Sequence, residues 1–222
     1  MDDEPGVRRV LRSYLQSDGF EVVEAETGER ALDLVRSVAP DVVVLDVMLP
    51  GIDGVEVLRR LRTFSSVYVL LVTAKADEID KLVGLSVGAD DYVTKPFSPR
   101  EVVARVKAVL RRQRAVDAPD EQLEVGSLHL DLARREARRA GDPVELTALE
   151  FDLLAALASS PGRVFTRRQL LERVWGADYY GDERVVDVHI RNLRKALGDS
   201  AEEPAVVATV RGVGYKVLPT GG

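Results

Sequence analysis

Two runs, DVVVLD (41–46) and VYVLLVT (67–73), are apolar almost throughout and end on the polar residues Asp46 and Thr73. Strands without apolar–polar alternation need cover on both faces, and a parallel sheet flanked by helices supplies it. Two further runs, EVVEA (21–25) and DYVTK (91–95), read as strands. Between and after them lie GERALDLVRSVA, DGVEVLRRLR, DEIDKLVGLSVG and SPREVVARVKAVLRR, with apolar residues at helical spacing. Ser98 and Pro99 form an N-cap and first-turn pair for the last of these. The alternation predicts an α/β, doubly wound parallel sheet of flavodoxin-like order.

The second half has a different rhythm. RQRAVDAPDEQ (112–122) lacks apolar periodicity and reads as a linker. It divides the chain into a domain at 1–114, a connection at 115–122 and a domain at 123–219. The latter begins with short strands (LEVGSLHLD, EARRAG, PVEL), continues with three helices and ends in a hairpin, AVVATVRGVGYKVLP. Thr147-x-x-Glu150 and Thr166-x-x-Gln169 are capping boxes that open two of those helices. The chain has no cysteine, which excludes disulfides and thiolate metal sites. No apolar run approaches the roughly 20 residues that span a bilayer. A soluble, cytoplasmic protein with no membrane partner is expected.

In an open parallel sheet, ligands bind beyond the C-terminal strand ends. Asp46, Thr73 and Lys95 end three of the predicted strands, and Asp2 and Asp3 precede the first helix at the same edge. Carboxylates gathered in this way repel one another unless a cation joins them, and Mg2+ suits an all-oxygen ligand set. With that charge neutralised, one carboxylate is placed to attack a phosphoryl group, with Lys95 on the phosphoryl oxygens and Thr73 as a hydrogen-bond donor.

The sequence DDE … DVVVLDVMLPGIDG … VTAKADEIDKLVGLSVGADDYVTKPF resembles the receiver domain of two-component response regulators. The resemblance implies that Asp46 accepts phosphate from the phosphohistidine of a sensor histidine kinase. It implies Mg2+ held by Asp3, Asp46 and the Met48 carbonyl, with Asp2 close behind them. It further implies Thr73 and Tyr92 as a switch pair, and a cis peptide between Lys95 and Pro96.

DERVVDVHIRNLRKALG, near the C-terminus, places Val186, Ile190, Leu193 and Leu197 in one narrow arc. The opposite face collects Arg184, Val188, Arg191, Asn192 and Lys195, a pattern suited to base edges and phosphates. His189 lies nearer the apolar side. TRRQLLERVWG would support this helix, and TVRGVGYKV would form a two-stranded wing with Arg211 placed to enter a minor groove. Residues 163–195 carry eight basic and five acidic side chains, a net +3 (8 − 5) in a chain whose total is -6. That excess, to which Arg194 and Lys195 contribute, marks the nucleic-acid face. LTALEFDLLAALASSPGRVFTRRQLLERVWG, VVDVHIRNLRKALG and TVRGVGYKV resemble the winged helix-turn-helix effector of the OmpR/PhoB class, in which several members carry Arg where Asn192 stands.

The expected function is therefore that of a non-enzymatic transcriptional regulator. Phosphorylation at Asp46 would drive homodimerisation and binding to double-stranded promoter DNA. Dimer contacts are expected between Lys81 and Glu101, and between Arg105 or Arg112 and Asp90 or Asp91, around Leu82 and Leu85. A Mg2+-dependent phosphohydrolase is the enzymatic rival, but its usual second acid is replaced by Met48. In the family fold a central strand precedes the acids, and here only Met1 does. The expectation is that roughly five apolar residues, a typical strand, lie upstream, an internal valine GTG codon having been taken as the start. The alternative is a crippled receiver on a DNA binder that needs no phosphorylation.

Overall fold

The computed structural model describes residues 1–74, 85–114, 122–176, 179 and 182–219. These fall into two compact units, Met1–Leu110 and Arg111–Gly222.

In the first unit, β1 (Val42–Asp46), β2 (Tyr68–Thr73) and β3 (Asp91–Thr94) form a parallel sheet in the order β1-β2-β3. The register runs from Val42 opposite Tyr68 to Asp46 opposite Val72, and Thr73 lies opposite Thr94. Every residue of β2 is buried, as its uninterrupted apolar run requires. The accompanying helices are α1 (Pro5–Ser17), α2 (Gly28–Val38), α3 (Gly54–Arg62) and α4 (Pro99–Arg114). Pro5 occupies the first turn of α1, where its missing N–H costs nothing. Thr27 and Asp53 cap α2 and α3 by accepting from the amides of Arg30 and Glu56.

Gly54 has a direct bearing on the strand end. A Cβ there would lie 2.8 Å from Val47 Cα and closer still to the Asp46 carbonyl. Only a glycine lets the start of α3 pass this close beneath Asp46.

The sequence reading fails at residues 21–25. They form no strand, and Val23 is 56% exposed although Ala25 is buried. In the expected order 2-1-3-4-5 this segment would pair only with a strand preceding the acids. The described residue in that place is Met1, whose amine donates to the Val44 carbonyl (2.8 Å) and whose carbonyl accepts from the Asp46 amide (3.0 Å). This rung ties Met1 to β1 and, among the described residues, leaves 21–25 without a ladder partner.

The second unit contains two antiparallel sheets. β4 (Gln122–Val125), β5 (Leu128–Asp131), β6 (Glu136–Arg139) and β7 (Asp142–Val144) form a four-stranded meander. β8 (Phe165–Thr166), β9 (Val207–Val210) and β10 (Gly214–Val217) form the order β8-β10-β9. Among the described residues, three helices complete the unit: α5 (Ala148–Ala158), α6 (Arg167–Val174) and α7 (Arg184–Leu197). Both predicted capping boxes are present, at Thr147/Glu150 and Thr166/Gln169. The α7 helix ends at Gly198 in the left-handed conformation (φ 64°).

Gly214 lies where β10 crosses β8. A Cβ there would fall 2.9 Å from the Phe165 carbonyl carbon and 3.0 Å from Thr166 Cα, both of them backbone atoms. Gly214→Ala should therefore destabilise this unit by about 1–3 kcal/mol, the usual cost of overpacking. Urea unfolding followed by the fluorescence of Trp175, the only tryptophan and 2% exposed, reads this directly. An unchanged midpoint would contradict the close approach.

Candidate functional site

The C-terminal edge of the first sheet brings together side chains from four chain segments. Asp46, at the end of β1, is 1% exposed. Its Oδ1 accepts from the Met48 amide (2.9 Å) and its Oδ2 from Lys95 Nζ (2.7 Å). The same ammonium lies 3.0 Å from Asp2 Oδ2 and 3.1 Å from Glu4 Oε1. Thr73, at the end of β2, is buried, and its carbonyl accepts from the Lys95 amide (2.8 Å). The Lys95–Pro96 peptide is cis, as expected. Tyr92 is half-buried on β3.

Burial alone would lower the basicity of Lys95. Its hydrogen bonds to Asp46, Asp2 and Glu4 outweigh that and hold it well above the ordinary lysine range. Burial pushes the Asp2 carboxyl up, against the Glu4 amide and the Lys95 ammonium, which pull it down. Asp2, Asp3 and Glu4 offer oxygens that lie within 4.8 Å of one another. Three carboxylates, those of Asp46, Asp2 and Glu4, thus face one ammonium, with Asp3 beside Asp2 and Glu4, and the donors are all oxygen. This set fits a small divalent cation such as Mg2+: Asp3, Asp46 and the Met48 carbonyl would hold it, with Asp2 beside them. Glu4 is a partner of Lys95 that the sequence reading misses. Its place next to Asp2 and Asp3 in the chain is the signal that could have found it.

The second unit presents α7 with Arg184, Arg191 and Lys195 exposed and Asn192 half-exposed. Arg211 is exposed in the turn between β9 and β10, with Gly212 at φ 75° and Val213 46% exposed beside it. The structure corrects two expectations on this helix. Val188 is only 6% exposed, because α7 packs against both α5 and α6 and its buried arc is wider than the four-residue stripe. Arg194 is 8% exposed and turned inward: Nε and Nη2 donate to the Val207 carbonyl at 3.1 and 2.8 Å, and Nη2 donates to Thr209 Oγ1 at 2.7 Å. It fastens the helix to the wing. His189 is buried (1% exposed), its ring 5.7 Å from that of Trp175.

A second tie was not visible in the sequence. Asp187 on α7 accepts from Arg167 Nε (2.7 Å) at the start of α6 and from the Tyr215 hydroxyl (2.6 Å) on β10. The guanidinium groups of Arg167 and Arg194 lie 5.3 and 5.9 Å from the centre of the Tyr215 ring. One tyrosine thereby joins the supporting helix, the exposed basic helix and the wing.

Residues 1–107 match the response regulator receiver domain, and residues 141–217 match the C-terminal domain of transcriptional regulatory proteins. The chain is 48% identical over 219 residues to the DNA-binding response regulator MtrA of Mycolicibacterium smegmatis, covering 99% of this chain and 95% of that protein. It is 46% identical over 220 residues to the sensory transduction protein RegX3 of the same organism, covering 98% and 96%. The chain belongs to the OmpR/PhoB class of response regulators. Among solved structures, it is similar to a mutant of RitR (TM-score 0.79, 29% identity, covering 97% and 96% of the two chains). It is also similar to DrrB, a Thermotoga maritima OmpR/PhoB homologue (TM-score 0.52, 36% identity, covering 98% and 96%).

Several residues expected at a dimer contact of this response regulator are engaged within the chain. Asp90 is fully buried, with Oδ2 accepting from Arg62 Nη2 (2.7 Å) and from the Val69 amide (2.7 Å). Asp91 is 1% exposed and paired with Arg105 of its own chain (2.6 Å), which also pairs with Glu101 (2.8 Å). Leu85 is 1% exposed, so it adds nothing to a surface patch. Asp90 and Asp91 sit at the start of β3, where arginines of α3 and α4 reach them first. Lys81, Leu82 and the side chain of Arg112 lie outside the described residues, as do residues 177, 178, 180 and 181 of the connection before α7 and residues 115–121 of the expected linker.

Two outcomes follow from the ties in the second unit. Arg194→Gln should cost stability, about 1.5–3 kcal/mol for lost charge-assisted bonds, with little change in the salt dependence of any DNA binding. A reduced salt slope at unchanged stability would return Arg194 to the surface. The Tyr215 phenol is pushed up from 10.0 to about 12, first by burial and then by its bond to Asp187. Because the folded state favours the neutral phenol, this stabilisation is complete below the unfolded value of 10.0 and is lost as pH rises toward about 12. The stability difference between wild type and Tyr215→Phe should be flat up to pH 10 and shrink above it. A difference that does not shrink there would contradict the assignment.

Proposed function

We propose that this response regulator accepts a phosphoryl group on Asp46 from a sensor histidine kinase, or from a small acyl phosphate, and binds promoter DNA through α7 and the wing. The observation that carries the reading is the Asp46 carboxylate at a strand end, one oxygen on the Met48 amide and the other on Lys95, whose ammonium also meets Asp2 and Glu4. An Asp46 oxygen attacks phosphorus. The new O–P bond forms as the P–N bond to the histidine breaks, and the imidazole nitrogen keeps the bonding pair. Mg2+, when bound, supplies the charge that lets an anionic carboxylate meet an anionic phosphoryl group. Lys95 follows the developing charge from the carboxylate onto the phosphoryl oxygens, and Thr73 donates to one of them. Tyr92 is the aromatic partner of Thr73 in the switch.

The family is one of DNA-binding regulators rather than of enzymes as such. On the DNA side, Arg184, Arg191, Lys195 and Arg211 reach phosphates or groove edges, and Asn192 reads a base. Val188 and Arg194, being buried, hold the helix in place. Phosphorylation favours a homodimer through the α4 face that carries Glu101. No helix among the described residues is long and apolar enough to cross a membrane.

Incubation with acetyl phosphate and Mg2+ should label wild type once and Asp46→Asn not at all, with the Trp175 unit of the variant still folded. Equal labelling of both would place the acceptor elsewhere, and labelling of neither would contradict the reading. Lys195→Ala should weaken all DNA sequences alike and reduce the salt slope by about one unit. Asn192→Ala should relax choice at one position by about 1–3 kcal/mol. Binding-site selection and salt titration separate the two, and a reversed pattern would contradict the docking of α7.

A further inference from the structure

Arg8, in the first turns of α1, meets the backbone of the cation site rather than its carboxylates. Its Nη1 donates to the carbonyls of Asp2 (2.8 Å) and Asp3 (3.0 Å). Its Nη2 donates to Glu26 Oε1 (2.6 Å), and its Nε lies 3.4 Å from Glu24 Oε2. The side chain is 9% exposed, so these bonds form largely out of water. Asp2 and Asp3 belong to no helix or strand, and the rung that precedes them ends at Met1. Their peptide planes are therefore not fixed by secondary structure. Fixing both carbonyls fixes the direction in which the two side chains leave the backbone, that of Asp2 toward Lys95 (3.0 Å) and that of Asp3 beside the carboxylates of Asp2 and Glu4. A guanidinium suits this task because its planar fork of donors can hold two carbonyls and two acids at once.

Resting on the Mg2+ reading above, we infer that Arg8 is a positioning residue for the divalent-cation site: it holds the Asp2–Asp3 backbone from behind and is itself anchored by Glu24 and Glu26. The two glutamates also offset its charge, so that a cation beside Asp3 does not face an unbalanced guanidinium. Residues 24–26, at the end of the segment that forms no strand and just beyond it, thereby become part of the support of the site. Arg12, whose Nη1 pairs with Glu24 (3.1 Å), keeps that glutamate in place.

The test measures Mn2+ binding to the full, unphosphorylated chain by the electron paramagnetic resonance signal of free Mn2+. Wild type should bind one ion. Arg8→Ala should bind it roughly 10-fold or more weakly, the usual effect of losing a group that orients metal ligands. Arg8→Lys, which keeps the charge and loses the fork, should fall between the two. Glu26→Ala, at a side chain 74% exposed, should fold normally and weaken Mn2+ in the same direction, which keeps the inference testable should Arg8→Ala fail to melt cooperatively. In acetyl phosphate labelling, the Mg2+ concentration for half-maximal rate should rise in the Arg8 variants, while the extent of labelling at saturating Mg2+ stays at the wild-type level. General structural damage would lower that extent. Wild-type Mn2+ affinity in folded Arg8→Ala, or in Glu26→Ala, overturns the inference while leaving the metal reading intact. A wild type that binds no Mn2+ overturns both.

Discussion

The Lys95 ammonium is the interaction on which the first unit depends. Three carboxylates, Asp46, Asp2 and Glu4, lie within 3.1 Å of it. Without it, Asp2 and Asp46 would be buried like charges deprived of their hydrogen-bonded ammonium, a costly arrangement. Each neighbouring feature serves to bring these groups to one point. The apolar β1 and β2 end at Asp46 and Thr73, the Thr73 carbonyl holds the Lys95 backbone, and Gly54 lets α3 start directly beneath Asp46. The arrangement holds more negative than positive charge, and that imbalance makes it a receptor for a cation and, once the cation is bound, for a phosphoryl group.

The second unit is organised around Tyr215 in an analogous way. Asp187, an acid on the helix proposed to meet DNA, would repel phosphate if free. Bonded to both Arg167 and Tyr215, it instead sets the helix against the wing. Arg194 adds a second fastening through the Val207 carbonyl. The charge left at the surface of α7 is consequently smaller than the composition of 163–195 implies, and it is concentrated in Arg184, Arg191 and Lys195.

Much of this was legible in the residues. Unbroken apolar runs marked β1 and β2 as buried parallel strands, the polar residue closing each run located the site, and the capping boxes located α5 and α6. The failures have physical causes. EVVEA has strand composition, but a strand exists only with a partner, and composition does not report whether one is present. The helical wheel puts Val188 outward by assuming one buried stripe, and Arg194 joins the DNA face only through the charge count, whereas α7 packs against two helices and a wing. Asp90, Asp91 and Arg105 look like surface charges in sequence; their pairing within the chain depends on distances between β3, α3 and α4 that no local pattern encodes. Arg8 gave no signal, because its role lies in the backbone carbonyls it touches.

The central claim is that the acid held by Lys95 and the Met48 amide is the phosphoryl acceptor. Borohydride reduction of the wild-type protein after acetyl phosphate treatment, followed by peptide mass mapping, tests this directly, since an acyl phosphate at an aspartate is converted to homoserine at that position. The account predicts homoserine at position 46 alone, dependent on Mg2+. Homoserine at position 2 or 3, or a modification that forms equally well without a divalent cation, would contradict it.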